Sequence, residues 1–345
     1  MLKKLAVLAA ACAAMLAAPA MAQNITAPAA PVPEGIKVDT IKVHSPALEG
    51  NLEGNSTDRE ALVVLPPSYG KDKKKRYRVV YYLHGFAIDG RNFYNFMKVP
   101  DAVNNSAKRG EEFIVVVPDT LTKLGGSMYS TSVTTGDFRA FVAKDLVAYV
   151  DSHYRTIAKR EGRGLAGHSM GGYGTWVIGM TYPETFAAIY AQNACCISPR
   201  TETEESAKKM ASVSIEDGVK ADFGMRAGLS SMVAWSPNPQ NPPYFADFPY
   251  KDGKVDQLVI AKWAANSPYA MVASHVPALR SFRAIGSDAG DKDGLLHDDT
   301  MIHEELDRFG IVNQWAVYDG DHVNRIGQRF DEVVLPFMAK HLDRK

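Results

Sequence analysis

Short, almost unbroken apolar runs alternate along this chain with stretches of helical spacing. Arg78–Leu83 and Phe113–Val117 are apolar runs of strand length, which read as strands buried on both faces of a sheet. Ile36 to Val43 alternates apolar and polar residues, and Arg59 to Pro66 carries Ala61-Leu62-Val63-Val64-Leu65; these first two strands are expected antiparallel, at one edge. A helix is predicted over Asn92–Lys108. Another is predicted over Asp137–His153, where Phe138, Phe141, Val142, Leu146, Tyr149 and Val150 share a face and Asp137 caps the start. Further strands are predicted at Gly162–Ala166, Phe186–Tyr190, Phe282–Ile285 and Gln314–Tyr318, with helices at Gly172–Met180, Asp298–Phe309 and Arg325–Leu342. Strand-helix alternation of this kind predicts an α/β fold, a mostly parallel central sheet with helices on both faces.

Two regions break the rhythm. Lys3 and Lys4, the apolar Leu5–Ala18 and the small-x-small Ala20-Met21-Ala22 have the order of an export leader. Residues 1–22 are therefore expected to be a cleaved signal peptide and 23–35 an Ala/Pro-rich linker. The remaining 36–345 form one domain, in a protein that is periplasmic or secreted. Residues from about 198 to 265 are charged, then rich in Pro and aromatics. They read as an insertion, either a cap over the sheet's active edge or an ordinary surface excursion.

The 39 basic and 39 acidic residues balance, so no basic face for nucleic acid is expected. No later segment has eighteen consecutive apolar residues, which argues against a membrane span. Outside the leader the only cysteines are Cys195 and Cys196. A disulfide between adjacent residues is strained, so they read as reduced, packed thiols.

The chemistry centres on Gly167-His168-Ser169-Met170-Gly171, a G-x-S-x-G sequence between a predicted strand and a predicted helix. Alone it has about a one-in-ten chance of arising randomly at ordinary glycine usage. Its context is that of a nucleophile elbow, with Ser169 at the apex. A serine hydroxyl needs a base to become a nucleophile, and in an α/β-hydrolase the acid and then the histidine follow the serine. His322 is the expected base, in the loop between the last strand and the last helix. His168 adjoins the nucleophile, but its side chain should point away; His153, His297, His303 and His341 lie on or beside helices. Ser287–Gly294 contains three aspartates, and position leaves Asp288 and Asp293 open as the acid. The expected oxyanion donors are the N–H groups of Met170 and Phe86. There is no H-E-x-x-H, Cys/His cluster or phosphate loop, so neither metal nor cofactor is expected.

Over roughly Arg78 to Leu342 the chain resembles the esterase D / S-formylglutathione hydrolase-like branch of the α/β-hydrolases. That branch also takes in feruloyl and acetylxylan esterases, enterochelin-esterase-like proteins and mycolyltransferases. The resemblance is carried by Leu83-His84-Gly85-Phe86, Tyr149–Thr156, Gly167–Gly174, the set Asp288, Gly290 and Asp293, and Gly320-Asp321-His322. It implies Asp293 as the acid, Asp288 as a structural partner, and an aromatic near the acyl pocket, here Tyr129. It also implies a serine carboxylic-ester hydrolase acting through an acyl-enzyme on a small-molecule or carbohydrate-linked ester. An acyltransferase of the mycolyltransferase type or an S-formylglutathione hydrolase-like thioesterase would use the same residues. A non-catalytic binding protein on this fold is the remaining alternative.

Overall fold

The computed structural model describes residues 25–345; the expected leader lies outside the described residues. Eight strands form the central sheet: β1 (Lys37–His44), β2 (Asp58–Leu65), β3 (Arg78–Leu83), β4 (Phe113–Pro118), β5 (Arg163–His168), β6 (Ala188–Gln192), β7 (Ala284–Gly290) and β8 (Gln314–Tyr318). Their order is β1-β2-β4-β3-β5-β6-β7-β8. Strand β2 runs against both its neighbours, and every other neighbouring pair is parallel. The first two strands sit at one edge as expected, and only β2 is reversed.

Both faces are covered, which explains why the inner strands show no polar alternation. Successive side chains of a strand point to opposite faces. Val79, Tyr81 and Leu83 of β3 therefore pack on one face with Val63, Phe138 and Trp176. Val80 and Tyr82 pack on the other with Phe93, Val99, Phe330 and Leu335. Burial of such side chains stabilises by about 1.5–3 kcal/mol each. On the first face lie the helical stretch from Phe138 to His153 and the helices Met170–Thr181 and Leu296–Arg308. The Asp137 carboxylate accepts from the Ala140 N–H at 2.8 Å, the cap expected there.

Several boundaries differ from the sequence reading. The helix expected over 92–108 is two, Gly90–Phe96 and Val99–Lys108, broken at Lys98 in the left-handed region at φ 49°. Pro100 has no N–H and would clash with a preceding turn, so the helix must restart there. Strand β6 begins two residues later than expected, at Ala188 rather than Phe186. Strand β7 runs on to Gly290 through two polar residues, Ser287 and Asp288. The Asp288 carboxylate is fully buried, accepting from Arg329 Nε at 2.7 Å and from the Tyr190 hydroxyl at 2.9 Å.

Register aligns the C-terminal strand ends. Leu83 sits beside Gly167 and Gly167 beside Ala191; Gln192 pairs with Asp288, and Gly290 with Tyr318. Loops leaving five adjacent parallel strands thus open onto one edge, where sites in such sheets form.

Asp288→Asn leaves the largely buried Arg329 guanidinium without a counter-charge, and such losses cost about 3 kcal/mol. Urea unfolding at neutral pH should show a destabilisation of that order.

Candidate active site

Ser169 sits between the end of β5 and the first residue of the helix Met170–Thr181, at φ 57° and ψ −117°. A residue with a side chain adopts that conformation only where its surroundings enforce it. A Cβ on Gly167 would run into the Gly171 carbonyl, and a Cβ on Gly171 into the Leu83 carbonyl. The two glycines let strand, turn and helix close on each other. Hydrogen bonds hold the apex: the Ser169 N–H donates to Gln192 O at 3.0 Å, and Ser169 O accepts from Cys195 N at 3.2 Å.

Ser169 Oγ lies 3.0 Å from His322 Nε2. His322 Nδ1 lies 2.8 Å from Asp293 Oδ2. Facing a carboxylate, Nδ1 carries the ring proton of a neutral imidazole, which leaves Nε2 to accept from the Ser169 hydroxyl. His322 follows β8 and Asp293 follows β7, so three distant segments converge. Of the two aspartates left open by position, Asp293 reaches His322, whereas Asp288 is engaged by Arg329 and Tyr190. Asp293 Oδ1 also accepts from Leu295 N at 2.9 Å, and Oδ2 from Asn193 Nδ2 at 2.5 Å. Burial alone would raise the Asp293 pKa; hydrogen bonds from His322, Leu295 and Asn193 outweigh it and hold the carboxyl below its ordinary range.

Two buried groups lie behind this line: His168, read from the sequence as pointing away from the nucleophile, and Asp299, which went unread. The His168 side chain points away from Ser169 Oγ, and Nε2 meets the His322 backbone carbonyl at 2.8 Å. Burial first, then the neighbouring His322, pushes its pKa down to about 3. His168 is therefore neutral near pH 7, and its Nε2–H donates to that carbonyl. Asp299 is fully buried and accepts from the Ala194 N–H at 3.2 Å. Burial, reinforced by the Asp293 charge, raises its pKa well above the carboxylate range.

The loop after β3 has a defined orientation. His84 is fully buried, with Nε2 2.8 Å from the Thr120 N–H and Nδ1 2.7 Å from the Gly85 carbonyl. Nε2 accepts, so Nδ1 donates. With the Gly85 carbonyl held, the N–H of Phe86, on the opposite edge of that trans peptide, points the other way. A Cβ on Gly85 would lie 3.3 Å from Ser169 Cβ, so this loop borders the serine. Met170 N–H, at the first position of its helix, has no intrahelical acceptor.

Tyr129, expected beside the substrate, is instead fully buried. Its hydroxyl donates to His84 O at 3.1 Å, and its ring packs where a side chain on Gly174 would be. The ring has no exposed surface and packs beneath the loop that carries His84. Cys195 and Cys196 are free thiols, each partly buried.

The insertion contains the helices Glu204–Ala211, Ile215–Gly218, Phe223–Trp235 and Gln257–Ala264. It packs on the Leu124–Gly125 segment, where Arg226 Nε and Ser230 Oγ both donate to Leu124 O. Phe223 meets Phe86 edge-on, with centroids 5.2 Å apart. A cavity of about 310 Å³ lies between the insertion and this segment, lined by Leu124, Val219, Val233 and Tyr244 among others; Ser169, Asp293 and His322 are not in its lining. Among the described residues no group of three or more His, Cys, Asp or Glu side chains could hold a metal ion. No described helix is long and apolar enough to cross a membrane.

A mostly parallel sheet with a serine-bearing elbow, and with His and Asp supplied from later strands, defines an α/β-hydrolase fold. The chain belongs to the Esterase family, which matches residues 54–325. Among its relatives are an esterase of Mycobacterium tuberculosis, 30% identical over 134 residues, or 36% of this chain and 27% of the relative, and an endo-1,4-beta-xylanase/feruloyl esterase of Xylanibacter ruminicola, 30% identical over 139 residues, or 39% of this chain and 19% of the relative. This chain thus spans about a quarter or less of the length of these curated relatives. Its fold resembles that of a ferulic acid esterase (TM-score 0.64, 24% identity, 89% of this chain and 99% of that one). It also resembles an S-formylglutathione hydrolase from Agrobacterium tumefaciens (TM-score 0.62, 17% identity, 92% of this chain and 100% of that one).

The lowered Asp293 pKa has a consequence for stability. A depressed carboxyl stabilises the fold above its unfolded value, near pH 4, and that contribution is lost as pH falls through the folded value. Asp293→Asn lacks it. In urea titrations between about pH 5 and pH 2, the stability gap between wild type and Asp293→Asn should therefore narrow as pH falls.

Proposed function

We propose that this protein is an exported serine carboxylic-ester hydrolase. The carrying observation is the hydrogen-bonded line from Ser169 Oγ to His322 Nε2 at 3.0 Å and from His322 Nδ1 to Asp293 at 2.8 Å. Ser169 Oγ attacks the ester carbonyl carbon while His322 Nε2 takes its proton. Negative charge gathers on the carbonyl oxygen, which the N–H groups of Met170 and Phe86 stabilise; one such donor is worth about 10²–10³ in rate. The intermediate collapses, the alcohol leaves with the proton from His322, and an acyl group remains on Ser169. Water, deprotonated by the same imidazole, then releases the acid. Asp293 keeps the Nδ1–H tautomer and balances the imidazolium without itself taking the proton.

Membership of the Esterase family supports ester hydrolysis. For the substrate, Phe223 from the insertion stands edge-on to Phe86 and is partly exposed, which supports an ester with an aromatic or other flat apolar group. The names of the xylanase/feruloyl esterase and ferulic acid esterase relatives agree with a carbohydrate-linked or small-molecule ester. The Lys3-Lys4 start, the apolar run and the Ala20-Met21-Ala22 site support export.

A fluorophosphonate probe should label the wild type and leave Ser169→Ala unlabelled; labelling that survives the substitution removes Ser169 as nucleophile. Asp293→Asn should lower kcat by about 10⁴ through the wrong tautomer, measured on an activated aryl ester. Assaying short-chain aryl esters, acetylated xylan and feruloylated sugars side by side identifies the acyl group.

A further inference from the structure

Asn193 directly follows β6 and has the left-handed backbone at φ 44°, a region asparagine enters more readily than most residues. It is fully buried, and both ends of its amide are used. Nδ2 donates to Asp293 Oδ2 at 2.5 Å, and Oδ1 accepts from the Tyr318 hydroxyl at 2.6 Å. The orientation is determined chemically: turned over, the amide would aim its carbonyl oxygen at the Asp293 carboxylate. Asn193 therefore shares with His322 the same carboxylate oxygen and limits where that oxygen can be.

The backbone around it is pinned to three elements in succession. Asn193 N–H donates to Asp288 O of β7 at 2.8 Å. Ala194 N–H donates to the Asp299 carboxyl at 3.2 Å, and Cys195 N–H donates to Ser169 O at 3.2 Å. One three-residue segment thus contacts the serine's own carbonyl at one end and the acid's carboxylate at the other.

We propose that Asn193 is a positioning residue for Asp293, and that Tyr318 fixes the Asn193 amide in that role. The inference rests on the hydrolase reading above. Asn193 holds the carboxylate at the distance and angle from which it orients His322, and Tyr318, at the end of β8, ties that amide to the strand from which the His322 loop departs. Besides His322, the titratable groups around the pair are His168 from β5, Asp288 with its partner Arg329, Asp299, and Tyr318 itself. None of them donates to the Asp293 carboxylate in place of Asn193.

The test compares wild type, Ser169→Ala, Asn193→Ala and Tyr318→Phe on an activated aryl ester, with thermal midpoints measured alongside. In Asn193→Ala, kcat should fall about tenfold or more, as a misplaced catalytic group costs, with KM within twofold because Asn193 touches no substrate. Loss of the donor leaves the Asp293 carboxylate more basic and the imidazolium better stabilised. The acid limb of the kcat/KM profile should therefore move to higher pH by about half a unit. Tyr318→Phe, which keeps the ring, should move both quantities in the same direction by less, and it decides the matter if Asn193→Ala does not fold. A merely structural role would lower the thermal midpoint and leave the acid limb still. Wild-type kcat and an unmoved limb in these variants, beside an active wild type and a dead Ser169→Ala, would overturn the positioning role alone. A wild type that hydrolyses no ester removes the hydrolase reading and this role with it.

Discussion

The serine at the elbow has a backbone at φ 57° and ψ −117°, and the architecture around it is arranged to hold that strained turn. Without side chains at Gly167 and Gly171, the end of β5, the start of the next helix and the carbonyl of Leu83 come into contact. That contact brings the β3 loop against Ser169, so the geometry that raises the hydroxyl to the sheet's edge also brings Phe86 beside it. Strain at one residue is affordable because two buried faces of the sheet hold its neighbours in register.

Charge is sorted along the same edge by burial and by donors. Asp293 keeps its charge because three groups donate to it, while Asp299, behind it, receives one backbone donor and its pKa is pushed up by burial. Asp288 finds its charge partner in Arg329. His168, packed against the His322 loop, is held neutral, which avoids a second positive charge beside the imidazolium that the reaction would generate. Burial and donors thus move the pKa values of similar side chains in opposite directions along one edge.

Much of this was legible in the sequence because it is carried by apolar runs and by motif order. The β3 and β4 runs, the elbow and the His322 loop all announce themselves through hydrophobicity or glycine. The less legible parts share one cause: a polar residue buried with a distant partner looks like a loop residue. Ser287 and Asp288 read as a strand's end, yet β7 continues through them because Arg329 and Tyr190 satisfy the carboxylate. Asn193 carries no signal of its own in the sequence, and its contacts depend on partners 100 and 125 residues away. Tyr129, which the family resemblance implies lies near the acyl pocket, is buried beneath its loop with its hydroxyl on His84 O. The helix break at Lys98 was marked by Pro100, whose effect outweighs the helical periodicity around it.

The separation between partners also bears on how the molecule can be monitored. Ser169 and His322 are 153 residues apart, and His322 and Asp293 are 29 apart, so their alignment exists only when β5, β7 and β8 are all in register. Long-range pairings of this kind are costly to close and slow to form. Local helical contacts close sooner than such pairings, so the appearance of this alignment marks the seating of the last strands of the sheet.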